Sequence, residues 1–283
     1  MTALADTTRF LIDFNAHDVA VALGVPIPRA AAALIYGVPE DDIASYQAEI
    51  DTGLAQAVAT CSEHPGRAAL RRALAPPAGP LLCIGDSITT YRYSYAHLLR
   101  HALAPDGITV LNHGYSGHTS THGLELTFTR FLHLQPALVT IKYGVNDCKQ
   151  FGGPEAPELV SPTDYARNLR QIVRAFQQHT SARVVVLTPT PVCEAIVNPL
   201  PDIRSMRLIW RNQRLLHYAE LALEAAAETG ALAVDLRQAL GSPPDSALYC
   251  PDGLHPNAAG QWMIFEQMLA AFASESPTER TGP

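Results

Sequence analysis

Five short runs dominated by Val, Leu and Ile alternate along this chain with longer stretches of helical character: Leu81–Ile84, Thr109–Asn112, Ala137–Tyr143, Arg183–Thr188 and Ala231–Leu236. A strand that is apolar at successive positions has to be covered on both faces, and that is the condition of a parallel sheet crossed by helices. The pattern therefore predicts an α/β fold, a three-layer α/β/α sandwich around a five-stranded, mostly parallel sheet. The helices between the strands carry their own start and stop signals. Ser161-Pro162-Thr163-Asp164 supplies an N-cap, a proline at the first helical position and an acid in the first turn, opening a helix to about Gln178. Ile203 to Thr229 reads as one long helix stopped by Gly230. A last helix follows His255-Pro256 and carries Trp262, Ile264, Phe265 and Leu269.

The first quarter of the chain is different. From Thr8 to about Leu74 the residues favour helix, interrupted at Pro26, Pro28 and Pro65, and Pro39-Glu40-Asp41-Asp42 opens one helix with acids in its first turn. The stretch Ala75-Pro76-Pro77-Ala78-Gly79-Pro80 cannot continue a helix and hands the chain to the first strand. The expected division is a helical N-terminal extension over 1–76, the α/β domain over 77–273, and a polar tail over 274–283 expected to be disordered. Its apolar content predicts that the extension packs against the domain. Lid, dimer contact and partner-binding roles are all compatible with that. Arg67, Arg71 and Arg72 read as a solvated face of a packed helix.

Composition narrows the partners. With 20 Lys+Arg against 27 Asp+Glu the formal charge is −7, the wrong sign for a nucleic-acid footprint. No apolar run is long enough to span a bilayer. The N-terminus lacks a basic leader region, and Asp13, Asn15, His17 and Asp18 interrupt the apolar residues near it. Cys61, Cys83, Cys148, Cys193 and Cys250 are odd in number and follow no metal-ligand spacing, which fits reduced thiols. A cytoplasmic location is expected.

Chemistry gathers at the carboxyl ends of the predicted strands, where ligands bind in open α/β sheets. The first strand runs into Gly85-Asp86-Ser87 and the second into Asn112-His113-Gly114-Tyr115-Ser116-Gly117-His118-Thr119; the third runs into Gly144-Val145-Asn146-Asp147. The turn before the last helix is Asp252-Gly253-Leu254-His255-Pro256. A serine hydroxyl attacks a carbonyl only when a base takes its proton, and histidine titrates in the right range. Asp252, three residues before His255, is close enough to accept from Nδ1 and leave Nε2 for a serine. Pro256 disfavours the α conformation for His255 and keeps it on the loop side of the helix boundary.

These four blocks, in this order, resemble the SGNH branch of the GDSL esterase and lipase family over roughly Leu81 to Ala271. The resemblance implies a flavodoxin-like strand order of 2-1-3-4-5. It makes Ser87 the nucleophile, His255 the general base and Asp252 the residue that orients it. It also makes the oxyanion hole from the Ser87 and Gly117 backbone N–H groups and the Asn146 side chain. No cofactor is required, and the implied substrates are small carboxylic esters, including acetylated carbohydrates and thioesters. An acyltransferase would use the same serine with an acceptor hydroxyl in place of water; a noncatalytic carbohydrate- or partner-binding protein is the reading from another class. The α/β-hydrolase signature Gly-x-Ser-x-Gly, the dinucleotide fingerprint and the P-loop are absent from the sequence.

Other polar residues have plainer readings. Asp86 and Asp147 are expected to hold their loops. His113, His118 and His122 lack the neighbouring acids of a metal centre, so no metal is expected. Lys142, alone in an apolar strand, is expected to reach solvent along its stem. Tyr91, Tyr93, His118 and Phe151 are the candidate substrate contacts.

Overall fold

The computed structural model describes residues 4–14, 28–74 and 79–274. Its strands are β1 (Leu81–Gly85), β2 (Val110–Gly114), β3 (Leu138–Lys142), β4 (Gln150–Phe151), β5 (Arg183–Leu187), β6 (Leu208–Ile209) and β7 (Leu232–Val234). Five of them form one parallel sheet in the order β2-β1-β3-β5-β7, which is 2-1-3-4-5 when the members of that sheet are counted alone. Every residue of β1 and β3 is buried, as continuous apolar runs require. In register, Gly85 pairs with Gly114 on one side and with Lys142 on the other, so three strand ends finish level. The chain passes from β1 to β2 on one side and then crosses to β3 on the other, so the connections diverge at β1 and open a crevice above the carboxyl ends.

Helices Ser120–Thr129, Pro162–His179 and Asn212–Thr229 pack side by side on one face of the sheet, and Tyr95–Leu103 with Ala258–Ser274 on the other. Their ends follow the sequence signals. Ser161 Oγ accepts the Asp164 N–H at 3.1 Å, and Gly230 closes its helix in the left-handed region at φ 68°.

The N-terminal helices Asp6–Asp13, Arg29–Tyr36, Glu40–Ala59 and Pro65–Ala73 extend the second layer. Helix Pro65–Ala73 lies on Ala258–Ser274 so closely that a Cβ at Gly66 would overlap the Leu269 backbone. Arg71 and Arg72 are exposed, as expected of a solvated face, while Arg67 is largely covered; the Arg67 and Arg71 guanidinium groups both reach Asp106, at 3.5 and 2.9 Å, and Arg67 Nε donates to the Ala102 carbonyl at 3.1 Å. Helix Glu40–Ala59 packs on Tyr95–Leu103. Residues 75–78 of the expected linker, Asn15, His17, Asp18 and Pro26, and the tail beyond Ser274 lie outside the described residues.

Two expectations fail for tertiary reasons. The helix expected over 203–229 is broken: Pro201–Ser205 ends, β6 pairs antiparallel with β4, and the helix resumes at Asn212. Buried Trp210 fixes the break by donating its indole N–H to the Val145 carbonyl at 2.9 Å. Lys142 does not reach solvent. Its side chain is completely buried and Nζ has no hydrogen-bond partner among the described residues. Burial pushes its ammonium pKa down, and the charge of buried Asp86 opposes that shift.

Candidate active site

Three loops and a turn bring the sequence-predicted residues into the crevice. After β1, Asp86 caps a one-turn helix, Ser87–Thr90, its Oδ1 accepting the Ile88 N–H at 2.9 Å. That cap takes the second amide of the turn and leaves the first, Ser87 N–H, without an intrahelical acceptor. Asp86 itself is fully buried and faces away from solvent, in the structural role expected for it.

The turn before the last helix is locked by its own backbone. Cys250 N–H donates to the His255 carbonyl at 2.8 Å, and Gly253 N–H to the Cys250 carbonyl at 2.9 Å. Gly253 has φ 67°, and a Cβ there would stand 2.6 Å from Ile196 Cβ, so glycine is needed twice over. Within this turn Asp252 Oδ1 accepts the Leu254 and His255 N–H groups at 2.9 and 3.0 Å. Asp252 Oδ2 lies 2.5 Å from His255 Nδ1, and His255 Nε2 lies 2.8 Å from Ser87 Oγ. Burial raises the Asp252 pKa, but its bonds to the imidazole and the two amides outweigh that, leaving the carboxyl below its ordinary value. With Asp252 ionised, Nδ1 carries the proton and Nε2 is free to accept from the serine.

Gly117, at φ 79°, is exposed at the mouth of the second loop. Asn146 is buried beneath it, and its Nδ2 donates one hydrogen to the His118 carbonyl at 3.1 Å. An amide has two such hydrogens, so the second remains for a ligand. At the other end of the same amide, Lys149 Nζ donates to Oδ1 at 3.1 Å. Asp147 is completely buried, and its Oδ1 receives the Ser120 N–H at 2.9 Å and the Ser120 hydroxyl at 2.5 Å, fastening the third loop to the helix after the second. Burial raises its pKa to about 7 against those bonds.

The candidate substrate contacts separate. His118 sits beside Gly117 with its ring stacked on His122 at 4.6 Å, and burial lowers its pKa to about 4 with help from the His122 charge. Phe151, on β4, is 47% exposed with the Lys149 ammonium 5.6 Å above its ring. Tyr91 is buried, its face covered by the ring of Phe14 at 4.8 Å. Tyr93 stands beyond Tyr91 and is turned toward Tyr46 and Asp13 of the N-terminal helices. The remaining loop histidines are engaged locally, His113 Nδ1 with the Tyr115 hydroxyl at 2.7 Å and His122 Nδ1 with Thr119 N at 3.1 Å.

The sequence reading missed two neighbours of His255. Phe14 lies 4.3 Å from the imidazole, centroid to centroid, and Phe10 lies 6.3 Å from it. The only local signal is the amphipathic pattern of Asp6–Asp13, which does not say what its apolar face covers.

Comparison with known proteins places the chain in a family. The chain is 29% identical over 199 residues to the isoamyl acetate-hydrolyzing esterase 1 homolog of Homo sapiens, covering 66% of this chain and 79% of that protein. It is 26% identical over 202 residues to the GDSL esterase/lipase CPRD49 of Arabidopsis thaliana, covering 68% and 78%. Among solved structures, the acetylxylan esterase Axe2 of Geobacillus stearothermophilus shares the fold with a TM-score of 0.54 at 24% identity, over 70% of this chain and 95% of that one. Residues 83–263 match the model of the GDSL-like lipase/acylhydrolase family, well over half of the sequence, and the chain belongs to that family of ester hydrolases.

Proposed function

We propose that the protein hydrolyses esters of short acyl groups through an acyl-serine intermediate on Ser87. The observation that carries this reading is the continuous relay from Asp252 through His255 to Ser87 Oγ, with bonds of 2.5 and 2.8 Å. In the first step Oγ bonds to the ester carbonyl carbon while its proton passes to His255 Nε2. The Asp252 carboxylate holds the imidazolium that forms. The carbonyl oxygen, now an anion, takes hydrogen bonds from Ser87 N–H, Gly117 N–H and the second Asn146 amide hydrogen. The tetrahedral adduct then collapses, and the alcohol leaves with the proton from Nε2. Water repeats the sequence on the acyl-serine, with His255 as base, and releases the acid.

Acetyl esters are the favoured substrates. Support comes from two kinds of similar proteins, a homolog of isoamyl acetate-hydrolyzing esterase 1 and an acetylxylan esterase, both of whose names point to acetyl esters. The helices of residues 1–76 act as an extension docked on the α/β domain of 77–273, a reading supported by the Gly66 approach and the Asp106 ion pairs. Five free thiols, four of them buried, favour a reducing compartment such as the cytosol.

The test is an ester panel of rising acyl length, with intact-mass detection of an adduct, run on the wild type and on Ser87→Ala. Turnover and an adduct that both vanish in the variant are expected. An adduct with no turnover would point instead to transfer onto an acceptor hydroxyl. Turnover that survives in Ser87→Ala would remove the serine from the chemistry.

A further inference from the structure

Phe14 joins three parts of the candidate site. Its ring stacks on Tyr91, which follows the nucleophile loop, with a centroid separation of 4.8 Å and planes 15° apart. The same ring packs against His255 at 4.3 Å. Its carbonyl accepts the hydroxyl of Ser116, the residue before Gly117, at 3.1 Å. Phe10, one helical turn earlier, packs on Phe14 at 4.7 Å and reaches His255 edge-on at 6.3 Å, yet remains 44% exposed. The helix is pinned behind them: Arg92 N–H donates to the Asp13 carbonyl at 2.9 Å, and the Tyr46 hydroxyl to Asp13 Oδ1 at 2.8 Å. Both phenylalanines lie outside the residues matched by the family model.

We infer that Phe10 and Phe14 form the wall of the leaving-group pocket and select esters of apolar alcohols. This rests on the hydrolase reading above, because it uses the direction in which the adduct breaks. The alcohol departs by taking the proton on His255 Nε2, so its oxygen has to come within hydrogen-bond reach of that nitrogen. The carbonyl oxygen is drawn the other way, toward Ser87 N–H, Gly117 and Asn146. The carbon chain of the alcohol therefore runs past the imidazole, on the side carrying two phenyl rings. Phe14, buried between Tyr91, His255 and Phe10, holds the wall in place, and Phe10 offers an exposed ring that loses water when an alkyl or aryl group covers it. Neither phenyl ring offers a hydrogen-bond partner to a polyhydroxylated alcohol, so a polar leaving group gains less from this wall than an apolar one of the same size. The wall acts in the acylation step alone, since every acetate yields the same acetyl-serine.

Two ester series separate the sides of the site. One keeps the acetyl group and varies the alcohol through ethyl, butyl, hexyl and benzyl to glyceryl; the other keeps methanol and lengthens the acyl chain. In the wild type kcat/KM is expected to rise with alcohol apolarity. In Phe10→Ala, an exposed position, the hexyl-to-ethyl ratio is expected to fall about tenfold, the worth of a few methylene contacts. The shape of the acyl-length series is expected to persist. A change in the acyl series in place of the alcohol series, or in neither, would overturn the inference. Phe14→Leu, which retains bulk against Tyr91, should lower the same ratio. Saturation-transfer NMR of 1-hexanol against glycerol on Ser87→Ala needs no turnover. Preferential hexanol binding lost in Ser87→Ala/Phe10→Ala supports the wall even if the hydrolase reading fails, and equal binding of the two alcohols contradicts it.

Discussion

Lys149 Nζ donates to Asn146 Oδ1 at 3.1 Å, so the amide proposed to meet the developing oxyanion is gripped at its oxygen by a cation. A charge on the carbonyl end draws electron density from the nitrogen and makes its hydrogens better donors. The His118 carbonyl on one Nδ2 hydrogen sets the direction of the other.

Asn146→Ala is therefore expected to lower kcat by about 10²–10³-fold, the usual effect of removing one such donor. The fold should survive, because the residue sits in a loop. Circular dichroism with steady-state kinetics checks both halves, and a kcat within threefold of wild type would exclude Asn146 from oxyanion binding.

Lys149→Met should act more weakly and through Asn146. We expect kcat to fall by roughly tenfold, about the worth of one charge-assisted hydrogen bond, with KM little changed. Lys149→Arg should recover part of the loss. An increase in KM at constant kcat would instead assign Lys149 to substrate binding.

Gly66→Ala places a methyl group into the Leu269 backbone. Overpacking of this kind costs about 1–3 kcal/mol, and here it should act by separating helix Pro65–Ala73 from Ala258–Ser274. Thermal unfolding should show a lower midpoint. An unchanged midpoint would mean that the extension contributes nothing to the stability of the domain.

Burial raises the Asp13 carboxyl to about 6, against the Tyr46 hydrogen bond and the charges of Arg92 and Arg9; Tyr91, Tyr93 and Cys250 are its other titratable neighbours. The folded pKa lies above the unfolded one. Below about pH 4 both states are protonated and the group contributes nothing. Between about 4 and 6 the undocked carboxyl ionises while the docked one keeps its proton, so docking weakens as pH rises, by up to about 3 kcal/mol. The Arg92 amide, bonded to the Asp13 carbonyl, should show higher exchange protection at pH 5 than at pH 8. Asp13→Asn should flatten that difference.

Strand cores were legible because a strand buried on both faces has to be apolar throughout. All five central strands fall within one or two residues of their expected ends. The residues proposed for catalysis were legible as short blocks at those ends, where topology makes distant loops converge. What the sequence hid depends on contacts between distant segments. Met206–Arg211 favours helix locally, but Leu208 and Ile209 pair with β4, and Trp210 is claimed by Val145. Lys142 looked able to reach water only while the covering of its strand end was unknown. Phe10 and Phe14 read as packing residues of a small helix, since nothing local indicates that His255 lies against them.

The central claim is that Ser87 is acylated with His255 as its base. It is tested most directly by rapid mixing of the wild type with a chromogenic acetate while the acetyl-enzyme is followed by mass. The account predicts one acetyl group per chain, located on the peptide containing Ser87, absent in Ser87→Ala and formed at least a thousandfold more slowly in His255→Ala, within the range seen when a triad member is removed. An acetyl group on another residue, or one that forms at the wild-type rate without His255, would contradict it.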